Sequence, residues 1–189
     1  LSTVFALIMA LMAVIGTLYG LHVDRAVEHM AAWFYVAGSL GAIYAGDYLT
    51  LFLFWEMMAF ASVFLIWFRR GPQSIAVGYR YLLVHTIGGV ILLAGIMLRY
   101  RAVGNITFDL MDVANPQLYT WLIMIGLGLN AALVPLHSWL PEAYSEASFN
   151  GAVFLCAFTT KTAVYTLARA CAGMDILVVA GVVMALYGV

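Results

Sequence analysis

Four ionisable side chains of this sequence stand inside long apolar stretches, where a charge is costly. They are Glu56, His85, His137 and Lys161. An ionised group at the centre of a bilayer costs at least about 2.5–3.5 kcal/mol on insertion scales, so it is normally paired, hydrated or functional. Because all four side chains can take up and release protons, their placement predicts proton-transfer chemistry inside an apolar medium.

Glu56 and Lys161 each lie deep within an apolar run. Glu56 lies near the middle of LTLFLFWEMMAFASVFLIW, and Lys161, the only lysine, lies deep in FNGAVFLCAFTTKTAVYTLARA. Burial favours the neutral form of each group, whereas a neighbouring opposite charge favours the charged form. Each is therefore a candidate proton carrier, and the flanking Thr159, Thr160 and Thr162 could hold water or hydrogen bonds. The alternatives are a static interhelical hydrogen bond for Glu56 and a structural ion pair for Lys161.

The two histidines differ in their surroundings. His137 lies in NAALVPLHSWLPEAY between Pro135 and Pro141, and proline in a helix removes a hydrogen bond and kinks or breaks the helix. Broken membrane helices occur where they face protein or a water-filled cavity, which is the usual setting of ion sites. A histidine there can relay protons near neutral pH, and His85 is a second candidate. For both histidines a hydrogen-bonded core role is the alternative, and Glu142 is expected to be partly solvated and could line an exit.

The composition indicates which elements must position these groups. Of the 189 residues, 66% are hydrophobic and only 9% are charged, whereas soluble domains carry about 25% charged residues. Lipid is therefore the expected solvent, and the net charge of −1 gives no basic surface for nucleic acid. A membrane-spanning helix needs about 20 apolar residues. The apolar runs predict helices over 3–21, 31–46, 48–68, 77–98, 118–140, 150–170 and 176–189.

These runs predict an all-α, polytopic transmembrane helix bundle, forming one domain over residues 1–189. The span 31–68 is too long for one crossing, so a turn is expected at Gly46-Asp47-Tyr48, with Asp47 as a helix cap. Small residues would allow close helix packing. They are Gly38, Gly41, Gly88, Gly89, Gly95, Gly126 and Gly128.

The loops give an expected orientation. Loops 22–30, 69–76 and 141–149 are predicted to share one end, which carries the arginine pair Arg69-Arg70 and is therefore the expected cytoplasmic end. The sequence begins without methionine and stops inside an apolar run, so a fragment of a longer polypeptide is expected.

Three motifs together resemble a known family. DYLTLFLFWEMM, VPLHSWLPEAYSEAS and AVFLCAFTTKTAVYTLAR are similar to segments of the proton-conducting antiporter-like subunits of respiratory complex I, of multisubunit cation/proton antiporters and of membrane-bound hydrogenases. The resemblance extends from about residue 31 to the C-terminus, and it is greatest to the D-type antiporter subunit. The string PLHxWLPxA is its most specific part.

The resemblance implies a fold of inverted five-helix repeats, of which this chain would hold the first together with flanking helices. In the family a membrane glutamate pairs with a lysine on a broken helix, and a second lysine continues a central polar axis. Glu56 matches the glutamate, Lys161 the second lysine and His137 the histidine of the proline-flanked motif. Asn130 stands where the broken-helix lysine is expected. An asparagine can hydrogen-bond a carboxyl group or hold water, but it cannot compensate a carboxylate, so the resemblance implies a neutral Glu56 or another cation.

The leading hypothesis is a multi-pass translocase subunit in the cell membrane of a bacterium or archaeon. It would move protons, or exchange them for sodium, in complex with other membrane subunits in the lipid bilayer. A structural scaffold subunit whose ion path is lost or altered is the alternative, and a small-solute transporter is a third hypothesis. A redox enzyme is least favoured, because the sequence has no haem, iron–sulfur or dinucleotide motif and predicts no cofactor.

Overall fold

The computed structural model describes residues 1–188, which form eight α-helices and no named strand. The helices are α1 (Ser2–Tyr19), α2 (Ala26–Tyr44), α3 (Tyr48–Trp67), α4 (Ser74–Val103), α5 (Leu118–Asn130), α6 (Trp139–Ser145), α7 (Phe149–Ala170) and α8 (Asp175–Gly188). The predicted all-α bundle with one broken helix is confirmed. Eight helices replace the expected seven because the run 118–140 is divided into α5 and α6. The last predicted run ends at Val189, which lies outside the described residues.

Four helical segments are long and apolar enough to cross a membrane by length and composition. They are Ser2–His22, which adds a short 3₁₀ turn to α1, Tyr48–Trp67, Ser74–Val103 and Phe149–Ala170. Large apolar side chains on α1 are more than half exposed, as expected for a helix that faces lipid. They include Leu7, Leu11, Ile15 and Leu18.

The predicted turn between the second and third helices is confirmed. Asp47 caps α3, since its carboxylate accepts hydrogen bonds from the Thr50 backbone N–H at 2.7 Å and from the Thr50 hydroxyl at 2.7 Å. The helix N-terminus is thereby satisfied where its first N–H groups lack intrahelical partners. These bonds hold the pKa of Asp47 below its ordinary value, because they stabilise the carboxylate.

Close helix packing occurs at the glycines that the sequence singled out. A Cβ atom on Gly126 of α5 would lie 2.9 Å from the Gly88 carbonyl oxygen of α4, and one on Gly38 of α2 would lie 2.9 Å from the Met58 backbone nitrogen of α3. A side chain at either position would push the helices apart. The pairs α2–α3 and α4–α5 therefore form the most extensive helix contacts of the bundle.

The three loops predicted to share one end do so. Arg25 donates to the Phe68 carbonyl at 2.8 Å, and Arg69 donates to the carbonyl oxygens of Ser145 and Ala147. Loops 22–30, 69–76 and 141–149 are thus tied together, while their assignment to the cytoplasm stays a prediction. At the opposite end the segment 104–117 crosses the bundle, and the Arg169 guanidinium lies 4.1 Å from the centre of the Phe108 ring.

The break after α5 lies where the proline-containing motif predicted a loss of regular hydrogen bonding. The Leu133 N–H donates to the Gly128 carbonyl at 3.0 Å, and the Ala132 N–H donates to the Leu129 carbonyl at 3.2 Å. These two bonds form a Schellman motif, which requires a left-handed residue at C′, the second residue after the end of the helix. Ala132 has φ of 57°, in the region that glycine normally occupies. The helix therefore ends five residues before Pro135, with its last carbonyl groups satisfied by the turn.

Glycine at residue 132 is expected to be tolerated far better than glycine at residue 131. Ala131 and Ala132 are both buried, so either substitution to glycine removes one buried methyl group. Ala131, however, has ordinary helical torsions. The left-handed conformation costs an alanine about 1–2 kcal/mol, and Ala132→Gly removes that cost. We expect Ala132→Gly to be at least about 1 kcal/mol more stable than Ala131→Gly in thermal unfolding of the detergent-solubilised protein. Equal stabilities would contradict a left-handed residue 132.

The Asp47 cap gives a pH-dependent prediction. Asp47→Ala should lower stability by about 1 kcal/mol at neutral pH, and Asp47→Asn, which keeps an accepting oxygen, should lower it less. Because the pKa of Asp47 is lowered in the folded protein, its contribution is present above the unfolded pKa of about 3.9 and is lost as the pH falls further. The parent protein should therefore lose stability on acidification more steeply than Asp47→Asn. If the melting temperatures of the parent and of Asp47→Asn fell by the same amount between pH 7 and pH 3, this contribution would be excluded.

Candidate functional site

Glu56 points from α3 onto α4 at a glycine. A Cβ atom on Gly89 would overlap Glu56 Oε1, so the absence of a side chain at residue 89 makes room for the carboxyl group. Glu56 is half-buried, and its Oε1 is buried without a hydrogen-bond partner. Within residues 1–188 no Lys, Arg or His lies within ion-pair distance of Glu56, so the structure gives this carboxyl group no fixed cation.

His85 lies one turn from Gly89 on the same face of α4, which places it one turn from the Glu56 carboxyl group. It is 1% exposed, and its Nδ1 lies 2.9 Å from the Tyr81 carbonyl oxygen. Its ring stacks on the Tyr81 ring at 3.9 Å and meets the Trp139 ring edge-on at 4.5 Å. With Nδ1 as the donor, the unpartnered Nε2 is left free to accept a proton.

Asn130 is the last residue of α5 and is fully buried at the break. Neither its amide nitrogen nor its amide oxygen has a hydrogen-bond partner, so the structure contains no hydrogen bond between Asn130 and the Glu56 carboxyl group. The adjacent Leu129 carbonyl oxygen accepts a bond from Trp139 Nε1 at 2.9 Å. Trp139 thus joins the two parts of the broken helix and at the same time contacts His85.

His137, Thr160 and Lys161 come together at a different place. They line one cavity of about 520 Å³, whose remaining wall is mainly apolar and includes Phe5 of α1 and Tyr187 of α8. The His137 ring lies 4.6 Å from the Tyr187 ring, and its Nδ1 is buried without a partner. A polar group in a cavity of this size can be hydrated, since a water molecule needs only about 10–15 Å³ of such volume.

Lys161 differs from the expected enclosed position. Its side chain is exposed to the cavity, and its Nζ donates to the Cys156 carbonyl of the preceding turn. No carboxylate lies within 4.0 Å of Nζ in the described part of the chain. The structure therefore separates the predicted residues into two groups. The Glu56 carboxyl group and His85 meet at α4, whereas His137 and Lys161 lie at the cavity.

Glu142 lies at the loop end of the bundle, as the sequence predicted for a partly solvated residue. Its carboxylate accepts two bonds from Arg80, at 2.8 Å and 3.1 Å, and both side chains are about half exposed. An exposed pair of this kind contributes about 0–1 kcal/mol, so it joins α4 to α6 only weakly.

Sequence reasoning missed several buried polar residues. Glu28 was assigned to a polar loop, yet it is 2% exposed in the first turn of α2 and accepts a 2.5 Å bond from Ser148. Because Glu28 stood within the predicted loop 22–30, the sequence gave no signal that its carboxylate is buried. Other missed groups are hydroxyls within apolar runs to which the sequence gave no role. They are Tyr35, Ser62 and Tyr81, whereas Thr159, which bonds Tyr35, was expected to hold water or a hydrogen bond.

Comparisons with known proteins agree with this architecture. The chain is 36% identical over 141 residues to the NADH-quinone oxidoreductase subunit N of Desulforudis audaxviator, covering 70% of this chain and 28% of that protein. It is 30% identical over 144 residues to the Na(+)/H(+) antiporter subunit A1 of Staphylococcus epidermidis, covering 71% of this chain and 18% of that protein. This chain therefore spans less than a third of the length of either relative.

A solved structure has the same fold. A chain of the membrane-bound sulfane sulfur reductase, an archaeal respiratory membrane complex, superposes with a TM-score of 0.81 at 26% identity, covering 93% of this chain and 40% of that one. The family described as "NADH:quinone oxidoreductase/Mrp antiporter, TM" matches residues 45–188, which include α3 to α8 and the broken helix. This chain therefore belongs to the NADH:quinone oxidoreductase/Mrp antiporter transmembrane family.

Proposed function

We propose that this chain is part of a membrane subunit of a proton-translocating or cation/proton antiporter complex, and that its buried ionisable side chains carry the protons. One observation carries the proposal. Seven residues contain buried polar atoms without a hydrogen-bond partner, and four of them are residues that the sequence had singled out. The four are Glu56, His85, Asn130 and His137, and the others are Trp55, Thr120 and Asn150.

Such atoms need partners, because more than about 90% of buried polar groups in proteins are hydrogen-bonded. A static core would satisfy them with fixed side chains, whereas a proton path satisfies them with water and with protons in transit. The Glu56 carboxyl group meets α4 at Gly89, one turn from His85, and His137 shares a 520 Å³ cavity with Thr160 and Lys161. This arrangement supports two segments of one path, and Glu142 at the loop end lies where such a path could leave the bundle.

The proposed setting follows from the relatives and from the surface. Apolar side chains cover much of the exterior, which suits a lipid bilayer and contacts with other membrane subunits. The relatives are named as subunits of an NADH-quinone oxidoreductase and of a sodium/proton antiporter. We therefore extend the proposal to a cell membrane of a bacterium or archaeon, to protons as the carried ion and to sodium as the exchanged one.

A structural scaffold with a lost or altered path is the second candidate, and Asn130 is the observation that favours it. The resemblance implies a lysine at this position, beside the membrane glutamate. An amide cannot neutralise a carboxylate, and Glu56 has no other cation within ion-pair distance in the described residues. Without that lysine the charged form of Glu56 is disfavoured, and conduction could have ended here.

Glu56→Gln separates the two candidates. Glutamine has nearly the same shape but cannot release a proton, so proton uptake should fall at least about tenfold if Glu56 carries protons. The measurement uses the full-length subunit in its complex, reconstituted in proteoliposomes. A potassium diffusion potential drives uptake, and an internal pH-sensitive dye reports it.

Glu146→Gln is the matched control. Glu146 lies at the loop end, 3.8 Å from Arg69, and the proposed path does not include it. Its substitution should leave uptake within about twofold of the parent, since Glu146 lies in a partly exposed ion pair outside the proposed path. Equal uptake in the parent, Glu56→Gln and Glu146→Gln would exclude Glu56 as a carrier and favour the scaffold.

Asn130→Lys tests whether the family's pairing transfers to this chain. A lysine at residue 130 should favour the carboxylate form of Glu56 and change the rate of proton uptake. Glu56→Gln should then lower stability more in the Asn130→Lys protein than in the parent, because it leaves a buried ammonium group without its partner. Breaking a buried pair costs about 3–5 kcal/mol.

A double-mutant cycle, measured on proton uptake and on thermal stability, shows whether residues 56 and 130 act as a pair. A large coupling between residues 56 and 130 would indicate that the lysine restores the pair. Additive effects would contradict the pairing in this chain, and would favour an altered path or a scaffold.

A further inference from the structure

Buried hydroxyl groups meet where α2, α3, α4 and α7 converge. The Tyr35 hydroxyl is hydrogen-bonded to Thr159 Oγ1, and the Tyr81 hydroxyl lies 2.7 Å from Ser62 Oγ. Thr159 also lies next to the Tyr81 hydroxyl, so the two pairs are contiguous. All four residues are at most 1% exposed. We call Tyr35, Ser62, Tyr81 and Thr159 the hydroxyl cluster.

The hydroxyl cluster lies between the two segments of the proposed path. On one side the Tyr81 ring stacks on His85 at 3.9 Å, one turn from the site where Glu56 meets α4. On the other side Thr159 is followed on α7 by Thr160 and Lys161, which line the cavity that also contains His137.

The chemistry of a hydroxyl group suits such a link. Each hydroxyl has one donor and two acceptor positions, so it can accept a proton from one neighbour while it passes its own to the next. Ser62 Oγ donates to the Ala59 carbonyl at 2.8 Å, and it therefore accepts its bond from Tyr81. A proton entering the cluster displaces another at its far side, so the cluster keeps its proton count.

We propose that the hydroxyl cluster transfers protons between His85 and the cavity that contains Lys161, with Tyr81 and Thr159 as the residues that connect the two. This inference rests on the proposed function. In each transfer the imidazolium at His85 passes one proton from its unpartnered Nε2 to a water molecule, which passes one on to the Tyr81 hydroxyl. The Tyr81 O–H turns from Ser62 to Thr159 and gives up its own proton there, and the neutral amine of Lys161 gains one from Thr159 through cavity water. The reverse transfer uses the same groups in the opposite order.

A second hydroxyl pair supplies a matched control. Ser39 Oγ and Thr162 Oγ1 lie 2.6 Å apart and join the same helices, α2 and α7, one turn further along. Both residues are fully buried, and neither contacts the Tyr81–Ser62 pair through a hydrogen bond. Loss of the Ser39–Thr162 bond should thus reproduce the structural effect of losing the Tyr35–Thr159 bond without interrupting the proposed transfer.

The test compares Thr159→Val with Thr162→Val in the full-length subunit within its complex, in the proteoliposome assay. Valine keeps the shape of threonine and removes the hydroxyl. Thr159→Val should lower proton uptake at least about tenfold, and Thr162→Val should change it less than about twofold, with similar shifts in melting temperature. Thr159→Ser, which restores a hydroxyl, should recover uptake, and Tyr81→Phe, which keeps the stacked ring, should lose it.

The outcomes separate this inference from the function on which it rests. If Glu56→Gln lowers uptake while Thr159→Val and Tyr81→Phe match Thr162→Val, the hydroxyl cluster is structural and the inference is wrong. If Glu56→Gln leaves uptake unchanged, both the proposed function and the inference fail. If Thr159→Val destabilises the complex, Tyr81→Phe and Thr159→Ser give the decision, because each changes one hydroxyl position with little loss of packing.

Discussion

The break between α5 and α6 is the feature on which the arrangement of polar groups depends. Within lipid every backbone N–H and carbonyl needs a partner, so a helix can be interrupted only where the protein supplies one. Here the turn at Ala132 satisfies the end of α5, and Trp139 donates to the Leu129 carbonyl at 2.9 Å. The interruption therefore begins in a buried turn at Ala131 and Ala132. It places Asn130 at a buried helix end and His137 in the wall of the cavity that also contains Lys161.

The polar groups around this break are placed at the expense of stability. A buried polar atom without a partner costs about 1–3 kcal/mol, and several such atoms occur on Glu56, His85, Asn130 and His137. Substitution by apolar residues would relieve this cost. A protein with a purely structural role would gain stability by such a substitution. A proton path, in contrast, requires groups that can bind and release protons. The presence of these buried polar atoms without partners therefore supports transport more than it supports a purely structural role.

Much of this could be predicted from the sequence, because lipid allows so few structures. The proline-flanked motif predicted the break, apolar runs predicted the helices, and Asp47 was expected as a cap. The burial of Glu28 could not be predicted, since its partner Ser148 is 120 residues away in the chain. The exposure of Lys161 depends on how α1, α7 and the break surround a cavity, which no local pattern encodes.

Asn130 and the hydroxyl cluster have one property in common that connects these observations. Neither carries a permanent charge, so neither adds the cost of burying an ion, which is several kcal/mol even after relaxation. A lysine at residue 130 would stabilise a carboxylate at Glu56 and hold a charge pair in the bundle. With an amide there, a neutral Glu56 is favoured, and protons must pass through groups that remain neutral on average. Tyr81, Ser62 and Thr159 are groups of that kind, and Tyr81 lies one turn beyond His85 on α4. An asparagine at residue 130 and the buried hydroxyl cluster are thus compatible with one path, in which hydroxyl groups take the place of fixed charge.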